Sequence, residues 1–152
     1  MTYETDPTAQ KLNDLVSSQE LYMGLMDFDG LNPAEQVLVG TWELVNEVYN
    51  GGFTQYFQSS SGARAKPMIA LLRSIDANPA AGILEDAAAL IDPKTRRSDE
   101  RNNVGTQKRV DDLERAFYAE LDNLHRLVFD YLSKHRDAID APPEFWTEPM
   151  DQ

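Results

Sequence analysis

The chain has no cysteine, two histidines and no long apolar run, and each shortage narrows what it can do. Without cysteine there is no disulfide, no thiolate metal site and no cysteine nucleophile, which suits a reducing compartment. The longest apolar stretches, such as Met68 to Leu72 and Ala87 to Ile91, run to about five residues, whereas a membrane helix needs about 20. The opening Met-Thr-Tyr-Glu-Thr-Asp-Pro has neither a basic n-region nor an apolar h-region. No signal peptide and a cytoplasmic location are therefore expected. Positive charge is also scarce: 14 Lys and Arg stand against 26 Asp and Glu, a net charge of −12. Direct nucleic-acid binding is not expected, because that affinity comes from cations that neutralise phosphates.

What is present is ordinary for one globular domain: 152 residues, 41% of them hydrophobic and 26% charged. The charge is uneven. Residues 1–50 sum to −8, residues 51–109 to +3 and residues 110–152 to −7. No run alternates as a half-buried strand does, and the expected fold is an all-α bundle of about five to seven helices with a long C-terminal helix.

The first helix is expected from about Thr8 to Met26, ending at Asp27-Phe28-Asp29-Gly30. The second starts most clearly, with Asn32 as N-cap, Pro33 at the first helical position and Glu35 at the reach-back site of a capping box. Ala34, Val37, Leu38, Thr41, Leu44, Val45 and Val48 share one face of its wheel. Glu35, Gln36, Val39, Glu43, Asn46 and Glu47 fall on the other. Asn50-Gly51-Gly52 ends it, Phe53 to Gln58 reads as a short helix, and Ser59-Ser60-Ser61-Gly62 breaks the chain again. Ala63 to Ile75 forms a fourth helix. Asn78-Pro79 opens a fifth, to Ile91, closed by Asp92-Pro93. Residues 94–105 read as a polar, basic loop. The last helix runs from about Thr106 to His135 on a seam of Val110, Leu113, Phe117, Leu121, Leu124, Val128 and Tyr131, with Tyr118 and Phe129 lying off it, placed to cover a second helix or a dimer contact. The tail, 139–152, is expected to pack back through Phe145 and Trp146.

Catalytic signatures are missing. His125 and His135 are ten apart on one helix, about 15 Å along its axis, and cannot share a metal within one chain. Asp122 and His125, at i and i+3, read as a helix-surface pair. Glu43 and Glu47, at i and i+4, read as a solvated face rather than paired acids. Gly51-Gly52 lacks the strand and GK[ST] of a phosphate loop, and neither G-x-S-x-G nor H-E-x-x-H occurs. No enzyme, cofactor or metal is expected. Gly51 and Gly52 read as a tight helix–helix corner, with Phe53, Tyr56 and Phe57 in the core beneath it and Gln55 or Asn50 capping backbone groups.

The string Asn50-Gly51-Gly52-Phe53-Thr54-Gln55-Tyr56-Phe57, followed by Ser60-Ser61-Gly62, resembles the signature of a bacterial family of small acidic helical proteins typified by the neisserial DNA-mimic protein. Asp112-Leu113-Glu114-Arg115-Ala116-Phe117-Tyr118 is similar to the same family, and the likeness covers about residues 30–135. The resemblance implies an all-α protein, a homodimer, and carboxylates that stand in for DNA phosphates on the DNA-binding face of a transcriptional regulator, a basic protein. Carboxylates available for that surface are Glu35, Glu43 and Glu47 on the second helix and Asp111, Asp112, Asp122 and Asp130 on the last. Two other functions stay open: an immunity-type or antitoxin-like protein that neutralises a basic nuclease toxin, and a small-ligand binder using the N-G-G-F corner.

Overall fold

A computed structural model describes residues 7–18, 28–91 and 104–146. Among them the fold is all-α, with α1 (Pro7–Ser18), α2 (Pro33–Gln58), α3 (Ala65–Ser74), α4 (Asn78–Ile91) and the long α5 (Val104–Lys134). Short 3₁₀ turns cover Ser60–Arg64, Arg136–Ala138 and Pro143–Trp146. Residues 19–26 of the expected first helix, the Asp92-Pro93 stop, most of the 94–105 loop and the end of the tail lie outside the described residues. Val104 and Gly105, expected in that loop, open α5 instead.

The chain divides into two compact units, one formed by residues 1–42 and 121–152, the other by residues 43–120. In the first unit, Leu12, Leu15 and Val16 of α1 are buried, as are Leu121, Leu124, Val128, Phe129 and Leu132 of α5. The start of α2 is closed by its own residues. The Asn32 Oδ1 accepts from the Glu35 amide at 2.8 Å, and the Glu35 carboxylate accepts from the Asn32 amide at 2.9 Å. This reciprocal cap satisfies two amides that a helix start otherwise leaves without partners. Asn32 Nδ2 also donates to the Ala138 carbonyl at 3.0 Å, and Trp42 Nε1 donates to Asn13 at 2.9 Å. Phe129, expected to cover a second helix or a dimer contact, is buried within its own chain, beside α1 and the tail. Phe145 and Trp146 lie 5.5 and 6.5 Å from it, and Lys11 Nζ sits 5.0 Å over its ring. Val39, expected on the polar face of α2, is fully buried, as are Val37 and Leu38 beside it. A single apolar stripe therefore understates how much of this helix is enclosed.

The second unit holds the rest of α2, then α3, α4 and the start of α5. The fourth expected helix begins later than its sequence suggests, because Ser60–Arg64 is a 3₁₀ turn. Gly62 is needed there, since a Cβ would stand 2.8 Å from the backbone of Phe57. α3 ends with Asp76 in the left-handed region, φ 65°. The Ala77 amide donates to the Leu72 carbonyl at 2.9 Å and the Asp76 amide to the Arg73 carbonyl at 3.1 Å, the bond pair of a Schellman close. This turn makes Ala77 the first acceptor of α4, bonded by the Ala81 amide at 3.0 Å. α4 then opens at Asn78, as expected, with Ala77 in the cap position.

Candidate functional site

The Gly51-Gly52 corner interrupts α2. Gly52 has φ 76° and ψ −176°, a backbone region open to glycine and strained for other residues. A break inside a helix strands a carbonyl before it and an amide after it. Two side chains of α5, one turn apart, take both. Tyr118 Oη donates to the Val48 carbonyl at 3.1 Å, and the Phe53 amide donates to Glu114 Oε2 at 3.0 Å. A Cβ on Gly52 would collide with that Glu114 carboxylate, so the glycine serves both the dihedral and the approach of the cap. Beneath the corner Phe53 and Tyr56 are fully buried and Phe57 nearly so. Phe53 packs edge-on to Phe117 at 5.5 Å and Tyr56 to Phe57 at 5.2 Å. Gln55 does not cap the backbone. It donates to the Glu47 carboxylate at 3.4 Å, and Asn50 is exposed. The backbone cap comes from Glu114, which the sequence placed only within a family-like block.

The seven candidate carboxylates sort into distinct environments. Glu35 belongs to the α2 cap. Glu43 does not lie on a solvated face: its side chain is 12% exposed and meets Arg64 in a two-pronged pair at 3.0 and 2.6 Å. Such forked guanidinium–carboxylate contacts are strong and geometrically specific. Burial, then the Glu43 carboxylate, push the Tyr56 phenol well above its ordinary range. Glu47 is half-buried and accepts from Gln55. Asp111 is exposed and accepts from Gln107 at 3.0 Å. Asp112 is exposed between Lys108, at 3.0 Å, and Arg115. The hydrogen bond from Lys108 is the main cause holding its carboxyl below the usual range. Asp122 and Asp130 are exposed and form no ion pair with another described residue, although the exposed Arg126 stands four residues from each. His125 does not pair with Asp122 either, because it is turned inward and 5% exposed.

Between α4 and α5 an open groove of about 450 Å³ is lined by Asp86, Ala89, Leu90, Arg109, Asp112 and Leu113. Among the described residues no group of three His, Asp or Glu is arranged to hold a metal, and no helix is long and apolar enough to cross a membrane.

The signal that could have identified Glu114 and Tyr118 is their i, i+4 spacing on α5 together with a Gly-Gly break that needs one acceptor and one donor. Both halves of this arrangement fall inside one match. A family model described as DMP19-like protein covers residues 29–135. No curated protein and no solved structure matches the chain. With well over half of its length matched, including the N-G-G-F corner and the helix that caps it, the chain belongs to the DMP19-like family.

Proposed function

We propose that this chain is a DNA mimic: a non-enzymatic, acidic protein-binding module that occupies the DNA-binding face of a transcriptional regulator. The observation that carries the reading is the family match over residues 29–135 in a chain of net charge −12. B-DNA offers about one negative charge per 1.7 Å of axis. Exposed helix carboxylates approach such a density only where they are not already neutralised, which favours Asp111, Asp122 and Asp130 over Glu35, Glu43 and Asp112. Glu47, half-buried against Gln55, stands between the two groups. A surface of this kind attracts a basic groove quickly and in a salt-sensitive way. The corner satisfies its stranded groups with its own side chains, which gives the small-ligand reading no support. In this account the protein acts in the cytoplasm as a homodimer, and light scattering on the purified chain reads that assembly directly.

The experiment is capture of partners on the immobilised chain, followed by titration with duplex DNA. A basic DNA-binding protein released by duplex supports mimicry. A partner that holds duplex and this chain together contradicts it, and a captured nuclease toxin would favour the antitoxin-like reading instead.

A further inference from the structure

We propose that the Tyr49–Tyr118 pair beside the Gly51-Gly52 corner anchors the partner surface by receiving an arginine side chain from a basic protein. The inference rests on the mimic reading for the class of partner and adds the place and the chemistry of contact.

Among the described residues, Tyr49 and Tyr118 are the large hydrophobic side chains left exposed, at 38% and 41%. They stand together, with ring centroids 6.4 Å apart and planes at 82°. Exposed aromatics grouped in this way are typical of interface centres. The Tyr118 ring is fixed in advance, because its hydroxyl is bonded to the Val48 carbonyl. Little side-chain freedom is then left to lose on binding. Burial, then the Glu114 carboxylate, hold this phenol above its ordinary range, so it stays a neutral donor near pH 7.

Carboxylates lie alongside. Glu114, one turn before Tyr118, gives one oxygen to the Phe53 amide, while its Oε1 has no donor among the described residues. Asp111 is exposed seven residues before Tyr118, on the same side of α5 and about 10 Å along it. The cation nearest in sequence, Arg115, is turned to Asp112. An aromatic face beside a carboxylate with a spare oxygen suits a guanidinium, which is planar, stacks on rings and donates through a rigid fork. A strongly hydrated ammonium can sit over a ring, as Lys11 does over Phe129, but it lacks the planar face and the fork, so it gains less at an exposed ring. A second copy of this chain would bring the same carboxylates against these, so charge complementarity favours the basic partner.

The test titrates the full ¹⁵N-labelled chain with octa-arginine and, separately, octa-lysine. Octa-arginine should bind about threefold tighter, the gain from one exposed cation–π contact, and should shift the amides of Tyr49, Asn50, Asp111 and Tyr118. Tyr49→Ala should bring octa-arginine down to the octa-lysine level and leave octa-lysine unchanged. Tyr118→Phe, which keeps the ring, should retain the preference. Equal affinities, or shifts confined to Asp122 and Asp130, overturn the proposal. So does dilution alone shifting the same amides until Tyr49→Ala abolishes the change, since a second copy then covers the pair. Should the arginine preference hold while no captured partner yields to duplex, mimicry fails and this site stands. Should duplex compete while Tyr49→Ala alters nothing, this site alone fails.

Discussion

The two stretches of α2 begin in opposite ways. At Asn32 the start is closed by residues three apart, each bonding the other's amide. At Phe53 the helix restarts after a glycine turn and takes its acceptor from Glu114, 61 residues away. The local cap forms with the first turn. The distant one exists only once α5 lies beside the corner. The contrast teaches what this chain's many acids do: some hold backbone or a part-buried cation, and the exposed remainder carries the charge most available to a partner.

The comparison breaks most severely at Gly52. Gly52→Ala combines a strained positive φ with collision against the Glu114 carboxylate, and should cost about 3 kcal/mol in denaturant unfolding. Glu43→Ala strands Arg64 in a site where its side chain is 17% exposed and should cost about 3 kcal/mol as well. A loss below 1 kcal/mol would return Glu43 to the solvated face. The caps then measure the comparison itself. Glu114→Ala should cost about 2 kcal/mol, leaving a part-buried amide unsatisfied, whereas Asn32→Ala should cost about 1 kcal/mol, the usual value for an N-cap. Equal losses would mean that distance adds nothing. The smallest effect is a gain: Asp76→Gly relieves the left-handed turn after α3 and should raise stability by about 0.5–1 kcal/mol.

Much of the fold was legible in the sequence wherever its cause was local. Asn32, Pro33 and Glu35 announce α2 within four residues, and the apolar spacing from Val110 to Val128 announces α5. The corner at Gly51-Gly52 was equally plain as a break. What closes it was not, because the i, i+4 pair Glu114 and Tyr118 points to the corner only once α5 lies beside it. Glu43 was misplaced for the same reason: its face is polar by pattern, and only the turn at Ser60–Arg64 brings a cation onto it. Asp76 escaped notice because a left-handed close is usually signalled by glycine. The candidate surface was legible as a count of acids but not as a division between used and available ones, which depends on tertiary partners.

That division is tested most directly by partner affinity in the Asp111→Asn, Asp122→Asn, Asp130→Asn triple variant. Against a captured DNA-binding protein, the account predicts binding weakened by about tenfold, as three modest charge contacts would give, with an unfolding midpoint equal to that of the parent chain. Undiminished affinity in the triple variant, with duplex still competing, would contradict the claim that these exposed carboxylates are what the partner reads as DNA.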